Sequence, residues 1–93
     1  MYYTYVLRSI KDKRYYIGST ENIGKRINRH NKGLVKSTKS RKPFKLVLYE
    51  QYSSRNEAYK REKEIKRMKG GIQFKKLIGL SNGHRKAGSR SAG

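Results

Sequence analysis

Arg26 and His30 stand four residues apart in a stretch, Ile23 to His30, whose other regularly spaced positions are Ile23 and Ile27. At helical spacings of three, four and seven, one stripe takes in all four side chains, so a guanidinium and an imidazole share the face that should meet a core. The segment before them closes a strand on Tyr16-Ile17-Gly18. Glu62 repeats the anomaly. It lies four residues after Ala58 and three before Ile65, on the inward stripe of a second helix that continues to residue 69 or 72. Glu57 and Glu64 fall about 100° or more away, where lysines can pair with them. Burying an isolated carboxylate costs roughly several kcal/mol unless a cation or metal faces it. Two readings follow: an internal ion pair between Glu62 and Arg26, or a reaction site that needs a cation, an imidazole and a carboxylate together. By the same logic, strand tyrosines such as Tyr5 and Tyr16 are either core aromatics or parts of that site.

The elements that must position these groups make a mixed α+β order. Residues 2–8, YYTYVLR, are β-branched and aromatic with apolar character on both faces, as a central strand requires. A polar turn around Asp12 leads to YYIG, the returning strand of a hairpin. Ser19 or Thr20 is placed to cap the first helix and Gly33 to end it. Residues 34–43, LVKSTKSRKP, form a basic loop without periodicity, and FKLVLYEQY over 44–52 is a third strand, with Pro43 tolerated at its entrance. Ser54 and Glu57 make a capping box for a second helix that runs to about Met68 and stops at Gly70-Gly71. A short third helix over IQFKKLI completes the order β-β-α-β-α-α. Residues 1–78 make one domain, and 79–93 read as a disordered basic tail.

Lys and Arg total 25 against six acids, a net charge of +19 that opposes folding and that a polyanion relieves. Nucleic acid is the expected partner, DNA ahead of RNA. An anionic membrane surface is the other polyanion, but the sequence shows no long apolar run or strongly hydrophobic amphipathic helix. The absence of cysteine suits a reducing cytoplasm, with nucleoid association if the chain holds DNA.

Tyr3-Thr4-Tyr5, then Tyr16-Ile17-Gly18, then Arg26 and His30, then a helical Glu62, resemble the GIY-YIG nuclease family in order and spacing. The likeness spans residues 2 to about 68 and looks closest to the small free-standing bacterial members, whose middle segment GLVKSTKSRKPFKLVLYE also resembles. The resemblance implies a three-stranded antiparallel sheet flanked by helices and cleavage of phosphodiesters with one divalent metal. It further implies that Glu62 holds the metal, Arg26 contacts the scissile phosphate, and Tyr5 and Tyr16 line the site. Tyr16 is the position often assigned as base, and His30 occupies a place that is His or Tyr in different branches. The likeness departs at three places. Thr4 and Tyr3 replace the first motif's Ile and Gly, Ser19 stands where some members have lysine, and Phe74 stands where better-known members have asparagine.

Elementary chemistry agrees with one metal. A single Mg²⁺ (or Mn²⁺) takes one or two carboxylates and fills its shell with water and phosphate oxygens, whereas a two-metal site normally needs bridging carboxylates. Zinc is disfavoured by the lack of thiols and the presence of only two histidines, one of them in the tail. A tyrosine base is demanding, because lowering a pKa of about 10 by three units takes about 4 kcal/mol of cationic stabilisation. Arg26, a metal and the positive surroundings supply part of it. The competing expectation is a nucleic-acid-binding module without the cutting step. In that reading Lys36, Lys39, Arg41 and Lys42 track phosphates, while Ser37 and Thr38 add neutral hydrogen bonds.

Overall fold

The computed structural model describes residues 1–81. Three strands, β1 (Tyr2–Ser9), β2 (Tyr15–Thr20) and β3 (Phe44–Tyr52), form one antiparallel sheet in the order β2-β1-β3. β1 is central, as its two apolar faces require. Strand alternation sends Val6 and Ile17 to one face and Tyr5, Leu7 and Tyr16 to the other. The register of β1 against β3 slips between Val6 and Leu7, which pair with Leu48 and Leu46. A bulge at Val47 thereby gives each face one leucine.

Helix α1 (Ile23–Asn31) covers the Tyr5 face, where Ile23 and Ile27 pack with Tyr5, Leu7 and Phe44. Helices α2 (Arg55–Met68) and α3 (Ile72–Ser81) cover the opposite face, where Ile65 and Phe74 join Val6, Ile17 and Leu48. The fold is thus the expected α+β arrangement in the expected element order. Between α1 and β3 the basic loop contains a 3₁₀ turn, Lys39–Arg41, that its lack of periodicity hid.

Several local expectations change. Asn22, not Ser19 or Thr20, caps α1, its side chain accepting from the Lys25 amide at 3.0 Å. Ser19 and Thr20 instead extend β2, and the Thr20 hydroxyl accepts from the Asn22 amide at 3.2 Å. Gly33 does end α1, with a φ of 77° that favours glycine. Ser54 caps α2 by accepting from the Glu57 amide at 3.2 Å, as the capping box requires. The inward stripe of α2 keeps Ala58 and Ile65 but does not continue to residues 69 or 72. The helix ends at Met68, which packs on the core, while Lys69 is exposed and Ile72 is 72% exposed. Phe74 takes over the inward role one element later. α3 extends to Ser81, beyond the start expected for the tail, and residues 82–93 lie outside the described residues.

Candidate nuclease site

Arg26, Tyr5, His30 and Thr38 form one buried chain of hydrogen bonds on the α1 face of the sheet. Arg26 Nε donates to the Tyr5 hydroxyl at 3.2 Å, and that hydroxyl lies 3.3 Å from His30 Nε2. His30 Nδ1 lies 2.7 Å from Thr38 Oγ1, which donates onward to the Val35 carbonyl at 3.4 Å. Because the guanidinium only donates, the Tyr5 oxygen accepts from it and offers its own proton to Nε2. His30 then carries its proton on Nδ1 and gives it to Thr38. The polar side-chain atoms of its buried members, Tyr5, His30 and Thr38, all have partners, which is what permits their burial.

The sequence places this chain by simple means. The α1 stripe points Arg26 and His30 at the sheet, and strand alternation presents Tyr5 and Tyr16 to them. Gly18 makes room. A Cβ at that position would sit 2.6 Å from the Tyr5 hydroxyl oxygen and 2.8 Å from its Cζ, so the third residue of the second motif must lack a side chain if Tyr5 is to lie there. Tyr16 packs its ring 4.8 Å from that of His30 and 6.3 Å from that of Tyr5.

The protonation states follow from these surroundings. Burial holds the Tyr5 hydroxyl above its ordinary pKa, against the lowering effect of the Arg26 hydrogen bond, so Tyr5 stays protonated. Arg26 is pushed up, chiefly by the Tyr5 hydroxyl, and stays charged. His30 is fully buried, and burial together with the Arg26 and Arg29 charges lowers its pKa to about 4. It is therefore a neutral acceptor at pH 7, suited to holding Tyr5 and unsuited to giving up a proton as an acid.

That shift fixes a pH dependence of stability. The unfolded chain binds a proton at His30 near pH 6.5, whereas the folded chain resists until about pH 4. The contribution is complete above pH 6.5, falls as the pH drops towards 4, and is flat below. Its size is about 3 kcal/mol. Urea unfolding at pH 7 and pH 4.5 should show a larger acid loss for the wild type than for His30→Gln. Equal losses in the two proteins would remove His30 from this role.

Glu62 stands on the other side of the edge strand. Its Oε1 accepts from the Ser19 hydroxyl at 2.8 Å, and its Oε2 pairs with Lys66 Nζ at 2.8 Å. The side chain is 12% exposed, and that of Lys66 is 54% exposed. No ion pair joins Glu62 to Arg26 among the described residues, so the internal-pair reading is corrected. α1 and α2 pack on opposite faces, and alternation along β2 separates Tyr16 from Ser19. The two sets still share a field around the open β2 edge: the Glu62 charge reaches Tyr5, and Tyr16 influences Lys66.

The remaining acids are engaged elsewhere. Asp12 pairs with Arg41, Glu21 with Arg55, Glu50 and Glu64 with Arg61, and Glu57 serves the α2 cap. Glu62 is thus the acid set beside the second motif. Among the described residues no three His, Asp or Glu side chains gather as a chelating group. The donor set fits a mostly hydrated Mg²⁺ held through one carboxylate, since Lys66, 54% exposed, can yield its oxygen and return to water.

Of the loop residues expected at phosphates, Lys36, Ser37, Lys39 and Lys42 are exposed. Thr38 is corrected: it is fully buried with its hydroxyl committed to His30, so it supports the site from inside. Arg41 is half-buried and largely occupied, by Asp12 at 3.2 Å and by the Tyr15 carbonyl at 3.4 Å. Ser19, Lys66 and the inward role of Thr38 went unrecognised. The i,i+4 spacing of Glu62 and Lys66 carried a signal, and so did the shared face of Ser19 and Ile17. Phe74, where the resemblance leads one to expect asparagine, is a core residue packed on Tyr15 with ring centroids 5.0 Å apart.

Comparisons with known proteins meet this geometry. The family model for the GIY-YIG catalytic domain matches residues 1–75. A UPF0213 protein of Staphylococcus haemolyticus is 46% identical over 66 residues, covering 70% of this chain and 79% of that protein. One from Clostridium perfringens is 44% identical over 69 residues, covering 73% of each. The solution NMR structure of a UPF0213 protein from Bacillus halodurans superposes with a TM-score of 0.56 at 34% identity, covering 89% of this chain and 88% of that one. With that family model matching residues 1–75 and relatives of this identity and coverage, the chain belongs to the GIY-YIG family.

Proposed function

We propose that this protein is an endonuclease that hydrolyses phosphodiester bonds in DNA with a single divalent metal, Mg²⁺ or Mn²⁺, held by Glu62. The observation that carries the reading is the buried Arg26–Tyr5–His30–Thr38 chain. It spends three well-satisfied buried polar groups on fixing one guanidinium at the sheet surface, more than packing requires.

Each residue then has a role. Arg26 uses Nε on Tyr5, also meets the Tyr16 side chain, and turns its remaining donors to the phosphoryl oxygens, where charge develops during the reaction. Tyr5 and His30 hold that guanidinium, and Thr38 holds His30. Tyr16, half-buried against His30, presents its hydroxyl beside Arg26 to orient the attacking water. Ser19 fixes the Glu62 carboxylate. The metal, when bound, supplies a second positive charge at the phosphate. Exposed Lys36, Lys39 and Lys42 add sequence-independent phosphate contacts.

A second reading, a binding module that does not cut, is favoured by one observation: Lys66 already neutralises Glu62. Labelled DNA incubated with Mg²⁺ or with chelator separates the two. Scission that requires the metal is the expected result, and intact DNA under both Mg²⁺ and Mn²⁺ would leave binding alone. No helix among the described residues is long and apolar enough to cross a membrane.

A further inference from the structure

A cavity of about 520 Å³ opens where the start of β2 meets the end of α2 and the first turns of α3. Lys13, Arg14, Lys69 and Lys75 stand around it, over an apolar floor that includes Tyr15 and Ile78. None of the six acids of the chain lines it. Lys69 Nζ donates to the Tyr15 carbonyl at 2.8 Å and retains two further donors. Burial lowers the Lys69 pKa, and the Arg41, Arg14 and Lys66 charges add to that effect, which records how little negative charge compensates these cations.

We propose that this cavity is a nucleotide-binding subsite that receives an unpaired nucleotide of the substrate strand, apart from the reaction site at Glu62 and Arg26. The inference rests on the nucleic-acid reading above. A free phosphate ion would satisfy the cations but leave the apolar floor idle, and the volume lies in the range of sites that enclose small organic molecules. A nucleotide uses both: its base covers the floor and its phosphates meet the lysines. Residues 82–93 do not supply a complement, since they add Arg85, Lys86 and Arg90 and no acid.

The placement suits a strand lying along the β2 edge. Lys69 follows directly on the end of α2, whose stretch from Glu62 to Met68 rises about 9 Å, so a nucleotide in the cavity lies a few positions from the scissile bond. A paired base reaches such a cavity only by leaving its stack, at a cost that an already unpaired base does not bear. The subsite therefore selects DNA with an overhang, flap or gap over intact duplex.

The test uses binding in chelator, so that cleavage plays no part. A duplex carrying a single-stranded overhang, with 2-aminopurine placed at each overhang position in turn, is compared with a blunt duplex. The overhang should bind about tenfold more tightly or better, with quenching confined to one or two positions. The Lys13→Gln/Lys75→Gln variant, altered only at exposed side chains, should lose most of that preference. Tyr15→Leu, which keeps an apolar floor, should lose the quenching. Equal affinity for the two DNAs, or a preference untouched by the lysine variant, would overturn the subsite while leaving the nuclease reading intact. Failure to bind either DNA would overturn both.

Discussion

Glu62→Gln should eliminate metal-dependent scission, lowering the single-turnover rate by at least about 10²-fold, while DNA affinity stays level or rises. Glutamine keeps the shape and the Oε1 acceptor for the Ser19 hydroxyl, so the carboxylate position is preserved without its charge. Lys66 loses a partner but is 54% exposed and returns to water, and an ion pair of this kind contributes only ~0.2–1 kcal/mol. Little change in melting temperature is therefore expected. Removal of a negative charge facing the phosphate accounts for the direction of the affinity change. A Glu62 that only completed an internal pair with Arg26 would instead have cost roughly 3–5 kcal/mol of stability, but Arg26 is held by Tyr5. The measurement is cleavage, anisotropy and thermal unfolding on one preparation. A folded variant that binds and cuts at the wild-type rate would sink the metal assignment.

How far the sequence carried the site is best seen at particular residues. The inward aim of Arg26 and His30 was legible because a nine-residue helix repeats its face every three or four residues, and two isoleucines marked which face was buried. The strands were legible from β-branched and aromatic runs, and β1 as the centre from apolar residues on both its faces. The partner of Glu62 was not legible from helix periodicity, which says that a side chain points inward and not at which face of the sheet. Alternation along β2 held the missing information, since Ser19 shares the side of Ile17 and Tyr16 does not. Thr38 was hidden for a different reason. It lies in a loop without a period, and its partner His30 is eight residues away across a turn whose path no local preference dictates. The α1 cap falls on Asn22 and not on the expected Ser19 or Thr20, although all three are good capping residues within four positions. The longer β2 strand decided among them.

Tyr16→Phe and Tyr5→Phe should fail in different ways, because only one of the two hydroxyls is structural. Tyr16→Phe keeps the ring against His30 and removes a hydroxyl placed to handle the attacking water. The rate should fall by roughly 10²–10⁴ with little change in melting temperature. The Tyr5 hydroxyl is buried between Arg26 Nε and His30 Nε2, so its loss leaves the fully buried His30 nitrogen without a partner and Arg26 without its anchor. That costs about 1–3 kcal/mol of stability and also frees the guanidinium that should meet the phosphate. Tyr5→Phe should therefore lower the melting temperature and the rate together. Tyr2→Phe serves as the control, since Tyr2 lies on the opposite strand face, beneath Arg55, and should change neither quantity appreciably. Single-turnover cleavage of branched DNA and thermal melts on the same samples separate these outcomes. Wild-type rates in Tyr16→Phe would remove that hydroxyl from the reaction. A Tyr5→Phe protein as stable as wild type would show that the buried chain does not hold Arg26, and with it would fall the reason for placing the phosphate there.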